Sequence, residues 1–282
     1  MAITQYTSIS SFIASIYEDA VLVAREGGLM PSLVSNYSAQ GRMTRAFSTR
    51  PEVSYETVAD AVDYSNPTTF GKSSVGTLTP GEVIAQFILT DANVESDPDN
   101  ARAMAAQELG EAAAKKIDTD LVGVFSSFTT DTGTANSAFS TTIMADAIST
   151  LRAAYAPSGG LRAVLHPYHW HDIFLETGVP AATYANKDAM TTQALRDYWM
   201  ANYLGVPVYT SANIAIDTST DAVSAVFAPQ AIAFDVRRPY RLEPERDASL
   251  RAWELNATMV YAYGLGERPT WGVKMTSDAT AP

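Results

Sequence analysis

The spacing of apolar residues separates helical from extended stretches of this 282-residue chain. Between 98 and 125, apolar residues recur at helical intervals behind Asp97 and Pro98, which supply a capping carboxylate and a proline at the first helical position. This pattern predicts one long helix. The same spacing predicts a helix over 141–155 and an amphipathic helix over 10–26.

Extended patterns fill much of the remaining chain. Two β-leaning runs, 51–66 and 75–91, flank a turn-rich tip and predict a long hairpin. Alternate residues from Trp253 to Tyr263 are apolar, which predicts a long strand with one apolar face. Further short strands and helices are predicted at 161–165, 168–176, 188–203, 206–210, 222–227 and 232–236. The mixture is typical of an α+β fold without an internal repeat.

Residues 29–50 are polar and follow no sustained period, so they predict an extended arm that needs support from elsewhere. A long arm and a long hairpin cannot bury their faces on their own subunit. We therefore expect the chain to complete its folding by lying across copies of itself.

Charge is distributed unevenly along the chain. Nineteen basic and thirty-one acidic residues give a net charge of −12, which excludes a protein that grips nucleic-acid phosphates over its whole surface. Residues 51–100 contain one lysine and nine acidic residues. Five arginines cluster near the C-terminus: Arg237, Arg238, Arg241, Arg246 and Arg251.

The sequence offers little for catalysis. It has no cysteine, which excludes disulfides, thiolate zinc sites and thiol nucleophiles, and it has neither a nucleophile elbow nor a dinucleotide-binding glycine fingerprint. His166, His169 and His171 suggest a metal-dependent hydrolase as an alternative, because three imidazoles can hold zinc. Their spacing favours structural or surface histidines instead, and we expect no enzyme activity, no metal and no cofactor.

No apolar run approaches the ~18 to 20 residues of a membrane span, and the N-terminus lacks a signal-peptide profile. We therefore expect neither a membrane partner nor secretion.

Three segments in the second half carry a family resemblance: LGVPVYTS at 204–211, AVFAP at 225–229 followed by AIAFDVRR at 231–238, and DASLRAWELNATMVYAYG at 247–264. Together with the order of helix, arm, hairpin, long helix, mixed block and paired long strands, they resemble the major capsid protein of tailed double-stranded DNA bacteriophages, the Hong Kong 97 fold.

The resemblance implies six parts: an N-terminal arm (1–50), an E-loop hairpin (51–93), a peripheral domain with its spine helix (94–139), an axial domain (140–230), peripheral-domain strands (231–263), and a C-terminal axial-domain strand and tail (264–282). It also implies a head protein that assembles into hexamers and pentamers of an icosahedral shell around double-stranded DNA. An encapsulin-like nanocompartment shell is the nearest alternative.

The same resemblance implies the partners. These are other copies of the chain, a portal, possible decoration proteins, and packaged DNA through weak non-specific contact. No scaffolding segment precedes the arm, so a separate scaffold protein or earlier trimming is expected. The location would be the virion, after assembly in the host cytoplasm.

Subunit contacts are expected at the charged clusters. The acids Glu52, Glu56, Asp60 and Asp63 of the hairpin are predicted to meet the five clustered arginines of an adjoining subunit. Lys72, near the hairpin tip, is a further candidate interface residue.

Overall fold

The computed structural model describes residues 28–38, 44–49, 53, 55–65, 67, 73–96, 98–178 and 202–281. The predicted helix 10–26 lies outside these residues, as does most of the predicted element 188–203.

The described α-helices are α1 (Asp91–Ser96), α2 (Pro98–Gly123), α3 (Thr141–Ala153) and α4 (Pro167–Gly178). The two main helices predicted from the sequence, α2 and α3, are therefore confirmed to within two residues at each end. No described helix is long and apolar enough to cross a membrane.

The described strands form two larger sheets and a ribbon. They are β1 (Ser35–Ser38), β2 (Arg45–Thr49), β3 (Ser73–Leu78), β4 (Gly81–Thr90), β5 (Thr130–Asp131), β6 (Arg162–Leu165), β7 (Asn202–Tyr203), β8 (Val206–Thr210), β9 (Asp221–Phe227), β10 (Ile232–Asp247), β11 (Ala252–Leu265) and β12 (Gly272–Asp278). The predicted α+β class is confirmed.

A four-stranded sheet with the order β1-β10-β11-β4 packs against α2. The long strands β10 and β11 are antiparallel, and β4 pairs with the other edge of β11. Leu255 and Ala257 of β11 are buried with Leu109 of α2. The apolar alternation predicted for β11 therefore covers the helix, although Tyr263 at its far end is 43% exposed.

A six-stranded sheet, order β5-β12-β9-β6-β8-β7, builds the other half of the subunit with α3. Ser140 caps α3, because its Oγ accepts a hydrogen bond from the Ile143 amide at 3.4 Å. Met144, Ile148 and Leu151 then form one fully buried face. These residues form a hydrophobic core between α3 and the six-stranded sheet.

The predicted hairpin of 51–66 with 75–91 is wrong in its strand pairing. The strand β3 pairs with β2, and β4 pairs with β11, whereas residues 55–65 form no strand. The reason is tertiary packing: one face of β4 is covered by α2, which a free hairpin does not supply. The second β-leaning run is therefore divided between two strands with different partners, β3 and β4, whereas the described part of the first run forms no strand.

The predicted free arm is also partly wrong. Met30, Leu33 and Val34 are buried in the largest core cluster, together with Leu121 and Phe125 at the end of α2. Apolar burial of three residues within a short stretch anchors this part of the chain without any repeating period. Residues 30–34 are therefore anchored in the core of their own subunit.

A candidate assembly surface

We define the excursion as described residues 53, 55–65 and 67. It is exposed to solvent and is not covered by the described part of its own subunit. Tyr55 is fully exposed, and Val53 and Val62 are 69% and 60% exposed. Val58 and Tyr64 add to this apolar surface at 42% and 40%. Contiguous exposed apolar residues of this kind mark interaction sites.

Acidic side chains share the excursion with these apolar residues. Glu56, Asp60 and Asp63 are all exposed. Glu52 and Lys72, which the sequence also nominated, lie outside the described residues. The excursion therefore presents apolar and negative groups together.

Four of the five clustered arginines bind acids of their own chain. Arg246 makes two hydrogen bonds with Asp91, and Arg238 contacts Glu82. A further pair on β10 joins Arg241 to Glu243 at 3.0 Å. Arg237 lies 3.4 Å from the buried Asp235.

Arg251 differs from the other four. It lies in the turn between β10 and β11 with a positive φ of 50°. Its side chain is exposed, and within the described part of the chain it belongs to no ion pair. No described ion pair joins the excursion acids to any of the clustered arginines, so the predicted contact between subunits stays a prediction.

The acidic residues that form ion pairs with these arginines were not predicted from the sequence. Glu82 is on β4, and β10 is two strands away, with Arg238 paired to Val260 and Val260 paired to Glu82. The two residues are 156 positions apart in sequence. Only the strand register brings such a pair together, and the sequence pattern gives no direct signal for it.

Two of the three histidines, His166 and His169, are buried in the protein interior. His169 is fully buried, with Nδ1 2.7 Å from Ser224 Oγ and Nε2 3.2 Å from the Ser277 carbonyl oxygen. Burial lowers the pKa of His169 and also lowers that of His166, to about 4. His171 is partly exposed, and the described residues contain no cluster of three side chains suited to a metal ion. The ring nitrogens of His169 are thus already engaged by protein groups.

Comparison with known proteins gives the fold and the family. The family described as phage capsid protein matches residues 84–275. No curated protein matches the sequence. Among solved structures, the capsid of Cyanophage P-SCSP1u is similar at 11% identity, covering 90% of this chain and 89% of that one with a TM-score of 0.69.

Two other structures have the same fold. The Mycobacterium phage Che8 structure is 22% identical, with 88% of this chain and 90% of that chain covered and a TM-score of 0.69. A virus-like particle from Pyrococcus furiosus is 12% identical, with 92% and 97% covered and a TM-score of 0.59.

The fold is therefore that of the tailed-phage major capsid proteins, the Hong Kong 97 type. Because the family match extends over more than half of its length, this chain belongs to the phage capsid protein family. It is a structural protein of a capsid shell, and the family match favours this reading over the encapsulin-like alternative.

Proposed function

We propose that this chain forms the hexameric and pentameric capsomers of an icosahedral shell that encloses double-stranded DNA. The observation that carries the proposal is the uncovered excursion, in which Tyr55 is fully exposed and Val53 is 69% exposed. Burying apolar surface contributes roughly 25 cal/mol per Å², so such side chains gain stability when a second copy covers them. In a closed ring the same contact recurs at every pair of neighbouring subunits, which multiplies this gain and fixes how the subunits are oriented relative to one another.

In this proposal the four-stranded sheet with α2 is the peripheral domain, and the six-stranded sheet with α3 is the axial domain. The excursion is the outer part of the E-loop. Its acids Glu52, Glu56, Asp60 and Asp63 meet the arginine cluster of the adjoining subunit, and Lys72 is a candidate for the same contact.

Accessibility ranks the five arginines as partners. Arg251 is exposed with no described ion pair, and the Arg241 side chain is 61% exposed despite its pair with Glu243. Arg238 and Arg246 are 38% and 37% exposed. Arg237 ranks last, because its side chain is only 12% exposed and binds Asp235.

The remaining partners follow from the same proposal. Assembly takes place in the host cytoplasm with a scaffold protein and a portal, and the shell is a candidate for decoration proteins. The net charge of −12 supports weak, non-specific contact with packaged DNA, because a negative wall does not adhere strongly to a polyanion. We also propose that the chain has no catalytic activity of its own.

Electron microscopy of the purified chain tests the proposal. The parent chain is expected to form rings or closed polyhedral shells. The variant Arg251→Glu is expected to weaken their formation, whereas Lys115→Glu, an equal charge change on exposed α2 surface, leaves it unchanged. Filaments or small oligomers alone would contradict the shell, and equal assembly of both variants would remove Arg251 from the contact.

A further inference from the structure

Asp235 is a fully buried carboxylate that binds two arginines. Its Oδ2 accepts hydrogen bonds from Arg45 Nε at 2.8 Å and from Arg237 Nη2 at 3.4 Å. The Asp235 side chain has no exposed surface, whereas that of Arg45 is 29% exposed. A buried charge is tolerated only with a partner, and Arg45 of β2 makes the shorter of the two contacts with Asp235.

The strand that supplies this cation begins the stem of the excursion. Strands β2 and β3 are paired with each other, and the excursion lies between them in sequence. In the described structure this two-stranded ribbon pairs with no third strand. Because an isolated ribbon is at best marginally stable in water, its orientation depends on how it is docked.

Apolar contacts hold the ribbon against the sheet. Phe47 of β2 and Leu78 of β3 are buried with Ala233 and Ala262 of the four-stranded sheet. Such contacts are non-directional, and the ribbon has an irregular register between Phe47 and Ser48. A directional contact is therefore needed in addition if the ribbon is to leave the sheet at one angle.

Directional contacts converge on Arg45. Its guanidinium lies 4.8 Å from the centre of the Tyr37 ring. Tyr37 of β1 is paired in register with Asp235 of β10, and its ring centre is 5.4 Å from that of Phe47. Arg45 therefore joins the ribbon to two neighbouring strands of the sheet at one point.

We propose that Arg45 and Asp235 are positioning residues for assembly: their buried ion pair fixes the angle at which the β2–β3 stem leaves the four-stranded sheet. The pair thereby sets where the excursion of one subunit meets the next copy. In some proteins a buried ionic group is retained because it fixes one arrangement rather than because it adds stability, and this pair suits that role. The inference rests on the proposed shell function.

The test compares Arg45→Met with Arg45→Lys, which keeps the charge, and with Lys116→Met, which breaks the exposed pair of Lys116 with Asp120 on α2. Hydrogen exchange is measured over 73–78, with 141–153 as the internal reference, and shell diameters are measured by electron microscopy. Arg45→Met is expected to speed exchange over 73–78 by about tenfold, to leave 141–153 unchanged and to broaden the range of diameters. Arg45→Lys is expected to lie between parent and Arg45→Met, and Lys116→Met to match the parent.

Unchanged exchange over 73–78 together with parental shell diameters in Arg45→Met would overturn the inference. Arg45→Met could also speed exchange in every segment, and in that case Arg45→Lys is the deciding variant. If exchange in Arg45→Lys is faster than in the parent only over 73–78, the positioning role is supported. If exchange in Arg45→Lys equals that of the parent throughout, the positioning role is refuted. A parent chain that forms neither rings nor shells would instead contradict the proposed function, while the exchange comparison would still test the stem.

Discussion

Arg246 holds Asp91 through both ends of its guanidinium, with Nη1 2.8 Å from Oδ1 and Nη2 2.7 Å from Oδ2. The pair joins the end of β10 to the first residue of α1. The Asp91 amide also donates to the Arg251 carbonyl oxygen at 3.0 Å. The outer end of the long strands and the entry to the helices are therefore tied together within one subunit.

The first prediction concerns this pair. Asp91→Asn is expected to lower the free energy of unfolding only slightly, because both side chains are more than a third exposed and water screens the interaction. Chemical denaturation at low and high salt measures the effect. The difference from the parent should shrink at high salt, and a difference that is insensitive to salt would contradict an ionic origin.

Protonation of His166 at acid pH should destabilise the half of the subunit that is built on the six-stranded sheet. Burial lowers its pKa to about 4, whereas an unfolded histidine has a pKa of 6.5. The unfolded chain therefore binds a proton first, and stability that is present above pH 6.5 is lost as the pH falls towards 4.

The variant His166→Asn isolates this effect. His166 Nδ1 accepts a hydrogen bond from the Tyr168 amide at 3.1 Å, and an asparagine side chain can accept at the same spacing without titrating. Thermal melts between pH 7 and 4 should show a shallower loss of stability in His166→Asn than in the parent. Identical pH profiles would rule out His166 as a source of the acid sensitivity.

At alkaline pH, ionisation of Tyr261 should lower the stability of the fold. Its hydroxyl donates to Asp120 Oδ2 at 2.6 Å, and burial followed by this carboxylate raises the tyrosine pKa above its usual 10.0. The unfolded chain ionises first, so the stability present below pH 10 is lost as the pH rises above it. Tyr261→Phe is expected to cost about 1 to 3 kcal/mol at pH 7 and to reduce the alkaline loss.

The control for this prediction is Tyr155→Phe, because the Tyr155 side chain is 87% exposed. Urea unfolding at pH 7 and pH 11 measures both variants. Equal behaviour of the two phenylalanine variants would contradict a stabilising bond between Tyr261 and Asp120.

Gly133 lies where no larger residue fits. A Cβ atom at this position would come within 2.1 Å of the Thr276 carbonyl oxygen and 2.4 Å of the Thr276 nitrogen, and both are backbone atoms. Gly133→Ala is therefore expected to cost about 1 to 3 kcal/mol by forcing β12 to move. The matched change Gly159→Ala, which meets nothing within 4 Å, should alter stability by less than about 0.5 kcal/mol in the same denaturation experiment.

The sequence predicted those parts of the fold that local chemistry specifies. The helix α2 follows a proline-bearing start, and α3 follows the Ser140 cap, so both signals lie within a few residues of the element. The fold class was predicted from the order in which segments resembling those of phage capsid proteins follow one another along the chain. Pairing was misjudged for the run 75–91, because β4 pairs with β11 and packs against α2, whereas β3 pairs with β2.

The exposure of the excursion acids was predictable from the sequence, but the partners of the clustered arginines were not. Glu56, Asp60 and Asp63 are exposed, as a solvated charged run favours. Arg246 has a partner 155 positions away, which no local pattern reveals. Asp235 and Arg45 were missed for the same reason, since their meeting depends on how the ribbon docks against the sheet.

The central claim is that copies of this chain cover one another's excursions. Hydrogen exchange over residues 53–67, compared between dissociated subunits and assembled particles of the same protein, tests it most directly. Exchange should be rapid in the dissociated subunit, where Tyr55 is fully exposed, and should slow by at least about tenfold on assembly. Equal exchange in both states, or full protection in a subunit that stays monomeric at every concentration, would contradict the account.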